Sequence, residues 1–237
     1  MKNDLFSIGP FTVHGYGLMI AIGVLSAYYM VEYRAKKKQM DWEKVFPLTV
    51  WSVLGGFLGS KILYLLTRLP DILANPALLG SSIKDGFVVY GGIIGGILTA
   101  WIYCKCTKWN FWKIFDIAMP AVAMAQGFGR IGCLLAGCCY GIELDPANPI
   151  GIVFHNSAYA PNDVALLPTQ IISSVLDFAN CFVLLALSKK LKTDGQVASC
   201  YLIFYSIGRF VLEYFRGDLI RGNVGEFSTS QFISLFI

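Results

Sequence analysis

Six segments of this chain come close to the roughly 20 mainly apolar residues that a helix needs to cross a bilayer. They are 13–31, 46–66, 86–104, 114–137, 170–187 and 196–215, and a seventh begins near Ser230 but runs only to Ile237. Of the 237 residues, 14% are charged and 56% hydrophobic, against about 25% charged in soluble domains, so apolar surface replaces charge throughout. The expected fold is therefore all-α: a polytopic transmembrane bundle of about seven helices, forming one domain over 1–237 with a long connection at 142–168. The 24 glycines suit helices that approach closely in lipid. The net charge of +4 is scattered over short segments, which excludes a nucleic-acid footprint. Residues 1–10 lack the basic, apolar and cleavage-site sequence of a signal peptide, so the first helix is expected to stay in the protein.

Lys and Arg in the connections set the orientation, because the cytoplasmic side retains the excess. Connections after the first, third and fifth helices hold Arg34, Lys36, Lys37, Lys38, Lys44, Lys105, Lys108, Lys113, Lys189, Lys190 and Lys192. The other side holds only Lys2, Arg68, Lys84, Arg216 and Arg221. This imbalance predicts an extracytoplasmic N-terminus, a cytoplasmic C-terminus and an extracytoplasmic 142–168 segment.

Lys61, Arg130 and Arg209 lie inside apolar segments, where each costs a few kcal/mol unless it finds a partner or a wet cavity. Arg209, Glu213 and Arg216 are spaced by four and three residues, so they share one helix face. An intrahelical ion pair would explain Glu213 without function. Two arginines against one carboxylate nevertheless leave a positive excess that a bound anion could neutralise. Arg130 adds to that excess within Gln126-Gly127-Phe128-Gly129-Arg130-Ile131-Gly132-Cys133, where small residues admit another backbone or a lipid headgroup. Lys61 follows Gly55-Gly56-Phe57-Leu58-Gly59-Ser60 and reads as a lysine snorkelling from a packing face. Asp116 and Asp177 read as structural partners, and Tyr90-Gly91-Gly92 with Gly95-Gly96 as a packing motif with one hydroxyl at its edge.

His14 and Tyr16 open the first helix at the expected outer interface, a depth at which an aromatic belt explains the tyrosine. The other histidine, His155, falls in 142–168, and the two form no metal-ligand spacing. Cys133, Cys138 and Cys139 cluster close to Arg130, but no Cys-x-x-Cys pair occurs, so buried thiols are the default and no metal or organic cofactor is implied. The alternative is a reactive or disulfide-forming cysteine, since an adjacent arginine favours the thiolate.

Taken in order, Phe6-Ser7-Ile8-Gly9-Pro10 and Val13-His14-Gly15-Tyr16-Gly17-Leu18-Met19 resemble the opening of the prolipoprotein diacylglyceryl transferases. The Gly55 to Ile62 run is similar to the family's second helix, and Asp85-Gly86 with Gly91-Gly92-Ile93-Ile94-Gly95 to its third. Gly129-Arg130-Ile131-Gly132 resembles the start of the family signature, Leu167-Pro168-Thr169-Gln170 the motif before helix five, and Arg209-x-x-x-Glu213-x-x-Arg216 the helix-six motif. Ser230-Gln231-Phe232-Ile233-Ser234 resembles the start of the last helix, so the resemblance covers essentially the whole chain.

The resemblance implies transfer of the diacylglyceryl group of phosphatidylglycerol to the lipobox cysteine of an exported prolipoprotein, in the cytoplasmic membrane of a bacterium. It implies that Arg130 and Arg209 hold the headgroup and stabilise the departing phosphate. It assigns positioning to Tyr16 and Glu213 and close approach to Gly141, with Arg216, Gly91, Gly92 and Gln126 as further substrate contacts. Two departures stand out. The family's usual histidine base is Tyr90 here, a poor base with an unperturbed pKa of about 10, with His14 as a further candidate. After Gly132 the signature reads Cys133-Leu134-Leu135-Ala136-Gly137-Cys138-Cys139-Tyr140-Gly141-Ile142. Two alternatives stay open: a related phospholipid-dependent transferase with another acceptor or a cysteine nucleophile, and a lipid or anion carrier without chemistry.

Overall fold

The computed structural model describes residues 4–8, 11–84, 86–218, 223–224, 227–228 and 231–232. A hairpin of β1 (Asp4–Ile8) and β2 (Phe11–His14) leads into α1 (Gly15–Lys37). Then follow α2 (Val45–Thr67), two short helices α3 (Leu69–Ala74) and α4 (Leu78–Lys84), α5 (Val89–Thr107) and α6 (Phe111–Ala136). The connection from α6 carries the short pair β3 (Ile152–Val153) and β4 (Ala165–Leu166) before α7 (Thr169–Leu187) and α8 (Gln196–Glu213). Among the described residues, five helical segments are long and apolar enough to cross a membrane: Gly15–Lys37, Trp42–Thr67, Val89–Thr107, Phe111–Ala136 and Thr169–Leu187. Each matches an expected apolar segment. The sixth expected span is the 18-residue α8, which is not among the five and carries Arg209 and Glu213 near its C-terminal end. The seventh lies outside the described residues apart from 231–232. Large side chains such as Phe57, Ile94 and Phe182 stand exposed on these helices, the pattern of lipid-facing surface.

The chain divides into two compact units, Glu32–Ile114 and Met1–Val31 with Phe115–Ile237. In the first, α2 and α5 meet through glycines. A Cβ on Gly59 or Gly91 would fall inside contact of the other's carbonyl oxygen, and one on Gly95 would do so at Gly55. Without side chains in the way, the two backbones gain dispersion contact that Leu-sized residues would prevent. Thr99 returns its hydroxyl to the Gly95 carbonyl at 2.7 Å, which satisfies that donor at the seam. Lys61 does not merely extend to the interface. Its ammonium donates to the Gly86 carbonyl at 2.9 Å and the Ser82 carbonyl at 3.3 Å and sits 4.3 Å from the Phe87 ring centroid, tying the entry of α5 back to α2.

In the second unit, Met119 and Ala123 of α6 pack against Cys181 and Leu184 of α7 and Val197, Ala198 and Tyr201 of α8. Asp116 is the structural partner expected of it. Its carboxylate accepts the Gly195 and Ala198 backbone N–H groups, each at 2.8 Å, satisfying donors that the start of α8 would leave orphaned. Ser174 of α7 donates to the Gly127 carbonyl of α6 at 2.9 Å. Gly132 lets the start of α1 approach, with Tyr16 and Met19 atoms 3.2 and 3.3 Å from where its Cβ would stand.

Gly59→Leu is expected to destabilise the detergent-solubilised protein by about 3 kcal/mol through overpacking of the α2–α5 seam. Gly80→Ala, where a Cβ meets nothing within 4 Å, should leave the apparent melting temperature unchanged.

Candidate active site

Three helices of the second unit aim ionisable side chains at one place. Arg130 comes from α6, Asp177 from α7, and Arg209 with Glu213 from α8. The Arg130 Nε stands 4.0 Å from the Asp177 Oδ2, whereas Arg209 and Glu213 pair at 2.7 Å along one helix face. Arg216 approaches the Glu213 carboxylate at 4.0 Å and binds Asp218 through two parallel hydrogen bonds of 2.8 and 2.6 Å. Asp218 alters the charge balance expected of this face: Arg216 pairs with a carboxylate two residues further on, so the face carries two arginines against two carboxylates, and Arg130, 4.0 Å from Asp177, is the guanidinium most open to an anion. Burial alone would lower the Arg216 pKa, and the forked Asp218 pair outweighs it and holds the guanidinium above its ordinary value.

Arg130 and Arg209 line the same cavity, of about 290 Å³, between α6, α7 and α8. Asp177, Ser173, Asn180 and Tyr205 add polar groups to its lining, and Leu176, Val183, Phe204 and Leu212 apolar ones. Asn180 keeps a buried carbonyl oxygen without a hydrogen-bond partner there. Tyr205 stacks on Tyr201, with ring centroids 5.8 Å apart, and the Tyr201 hydroxyl donates to Gln126 Oε1 at 2.8 Å. Gln126 is thus a support beneath the cavity floor. Neither Tyr205 nor Asn180 stands out in the sequence by residue type. Tyr205 lies four residues before Arg209, and Asn180 three residues after Asp177, so helical spacing would have shown both.

Beyond α6 the chain makes a tight braid. Gly141 N–H donates to the Leu167 carbonyl at 3.0 Å, Ile142 N–H to Phe215 at 3.0 Å, and Gly217 N–H to Tyr140 at 3.1 Å. A Cβ at Gly141 would stand 2.6 Å from the Leu167 oxygen, so glycine here serves a close approach of backbones. Through this braid Arg216 is carried beside the end of α6.

The three cysteines converge as well. Gly137, at φ +72°, closes α6 with two bonds, Gly137 N–H to Leu134 and Cys138 N–H to Cys133, both 3.1 Å. In such a cap the residue after the glycine folds back over the one five positions earlier, which brings Cys138 onto Cys133. Cys139 follows at φ +61°, and the three sulfur atoms all lie within 4.8 Å of one another. The sequence clusters the three near Arg130 without a Cys-x-x-Cys pair, and the glycine between them is what folds their side chains together. The Cys138 and Cys139 carbonyls are pinned at 2.8 Å by Gln170 and Thr169. Contact with Cys133 and Cys139, and then burial, pushes the Cys138 thiol up, which favours the default buried thiol over the thiolate alternative.

Tyr16, at the start of α1, lies within electrostatic range of Arg130 and all three thiols. His14 is exposed at the end of β2. Tyr90, Gly91 and Gly92 belong to the other compact unit, where Tyr90 is exposed and the two glycines pack on Gly59 and Ser60 of α2.

The fold and the site define a helical membrane protein with an arginine-lined cavity open to both polar and apolar groups. The family model described as prolipoprotein diacylglyceryl transferase matches residues 3–237, and the chain belongs to that family. It is similar to the phosphatidylglycerol–prolipoprotein diacylglyceryl transferase of Clostridium tetani, at 46% identity over all of this chain and 93% of that protein. The second such transferase of Clostridium perfringens is 45% identical, over all of this chain and 91% of that protein. The Staphylococcus carnosus enzyme is 30% identical over 98% and 85% of the respective chains.

Removing Asp218 leaves Arg216 buried with half its partners, so Asp218→Ala is expected to cost about 3 kcal/mol of stability. Arg216→Met combined with Asp218→Leu should cost less than Asp218→Ala alone, measured as a double-mutant cycle of unfolding in mixed micelles.

Proposed function

We propose that the protein transfers the diacylglyceryl group of phosphatidylglycerol to the lipobox cysteine thiol of an exported prolipoprotein, the first step of lipoprotein maturation. The observation that carries this reading is the convergence of Arg130 and Arg209 on one cavity whose lining also includes Leu176, Val183, Phe204 and Leu212. The naming of relatives at 46 and 45% identity supports it.

The reaction is displacement at a primary carbon: the acceptor sulfur attacks the glyceryl carbon that carries the phosphate, a C–S bond forms, and the C–O bond breaks with its electron pair on glycerol phosphate. Negative charge gathers on the departing phosphate, so donors already aimed at it lower the barrier without reorganising. Arg130 and Arg209 fill that role. Glu213, paired with Arg209, and Asp177, at 4.0 Å from Arg130, hold the two guanidiniums in place before substrate arrives. Ser173 and the Asn180 amide face the headgroup, and Leu176, Val183, Phe204 and Leu212 face the acyl chains. Tyr16 positions the headgroup from the α1 side, and the 142–168 segment meets the preprotein. The same reading places about seven helices in the bacterial cytoplasmic membrane, N-terminus outside and C-terminus inside, as the distribution of Lys and Arg favours.

The test is mass spectrometry of a lipobox peptide incubated with the purified protein in phosphatidylglycerol vesicles. A diacylglyceryl mass gain on the peptide cysteine is expected, with the rate down about 100-fold in Arg130→Ala and in Arg209→Ala. Lipid consumption without peptide gain would reassign the acceptor, and headgroup movement across vesicles with intact lipid would replace the transferase reading by a carrier.

A further inference from the structure

The reaction needs the acceptor as a thiolate, and Tyr90, which stands where the family usually has its histidine, is a poor base. We propose that Cys133, Cys138 and Cys139 form a three-thiolate site for a thiophilic d¹⁰ cation of the zinc class, whose open fourth position binds the acceptor cysteine as its thiolate. The second half rests on the transferase reading, whereas the metal site stands on the geometry alone.

The geometry fits such an ion. Tetrahedral zinc with Zn–S of about 2.3 Å spaces its sulfur ligands about 3.8 Å apart, and the three sulfurs here already lie within 4.8 Å. Contraction by an ångström or less closes the set. Their backbones are fixed beforehand by the Gly137 cap and by the Thr169 and Gln170 hydrogen bonds, so little conformational entropy is lost on binding. Three soft donors with no carboxylate among them select a zinc-class ion over magnesium or calcium. Three thiolates around a divalent cation leave one net negative charge, and Arg130, beside Cys133 and Cys139, is in place to meet it, with the Asp218-paired Arg216 alongside Cys139. Three protein ligands with a vacant fourth position is the pattern of metal sites that act on a substrate rather than hold a fold.

A thiol that coordinates such an ion is deprotonated outright. The acceptor R–SH binds and releases its proton to solvent, and the bound sulfur then attacks the glyceryl carbon held beside Arg130. The C–S bond forms and the C–O bond breaks, glycerol phosphate leaves with the electron pair, and the neutral thioether is a weaker ligand that departs. No base is needed at the position of Tyr90.

The experiment uses the whole purified protein in detergent, reduced and stripped of metal, titrated with Co(II), whose visible absorption reports tetrahedral thiolate coordination. One cobalt per chain is expected, with Cys133, Cys138 and Cys139 shielded from alkylation on mass mapping while the exposed Cys106 is not. This wild-type mapping stands whether or not the Cys133→Ser, Cys138→Ser, Cys139→Ser triple variant folds. A lipobox peptide should shift the cobalt bands at one equivalent, and the same peptide with serine for cysteine should not. Chelation should slow transfer about 100-fold, with zinc restoring it. No cobalt uptake, bands that persist in a folded triple variant, bands indifferent to the thiol peptide, or a disulfide among the three cysteines in freshly isolated protein would each overturn the proposal. Full transfer by metal-stripped protein would sink it while leaving the transferase reading intact. A peptide-induced shift with no diacylglyceryl product from any preparation would do the reverse, keeping the thiol-binding metal site and removing the transferase.

Discussion

A guanidinium in hydrocarbon must be paired or wet, and the second compact unit is organised by that requirement. Arg130 and Arg209 sit on helices whose other residues are mostly apolar, and each is answered from within the bundle, by Asp177 across the α6–α7 contact and by Glu213 one turn along α8. The pairs differ in kind. The 2.7 Å Arg209–Glu213 contact is a formed ion pair, while the 4.0 Å Arg130–Asp177 separation leaves the guanidinium with capacity for another anion. A cavity lined by both charged and apolar side chains suits a molecule that is itself divided, as a phospholipid is.

What surrounds that cavity is backbone architecture. The braid of 140–142, 167–169 and 215–217 brings the end of α6, the start of α7 and the end of α8 to one spot through main-chain hydrogen bonds, and only glycine at 141 and 217 allows the strands to lie so close. Arg216 is carried in by it, beside the cysteine turn that the Gly137 cap folds. The Asp116 cap performs the same service at the opposite end of α8, so the helix that carries Arg209 is held at both termini.

Much of this was legible in the sequence because lipid imposes a simple rule, about 20 apolar residues for each crossing, and α1, α2, α5, α6 and α7 each coincide with an apolar run. The face shared by Arg209, Glu213 and Arg216 followed from helical spacing alone. The losses have a common origin, since they arise where the chain leaves regular structure. Asp218 lies past the end of α8, where periodicity no longer says which way a side chain points. The cysteine cluster depends on a helix cap, and a search for fixed ligand spacings misses residues that a left-handed glycine folds together. The β3–β4 pair and the buried Phe154 within 142–168 show that a connection rich in Pro and Asn still builds a small core of its own, with Ala160 and Leu166.

The seam between α2 and α5 bears on how such a protein can drift in sequence. Its contact is made of what the residues lack, so the usual ordering of tolerance is inverted: Phe57, exposed on α2, can be exchanged for other apolar residues at little cost, while Gly59, two positions away, has no conservative substitute. Mutation can redecorate the lipid-facing sides of this helix pair freely, and the record of common ancestry along it is kept by its smallest residues.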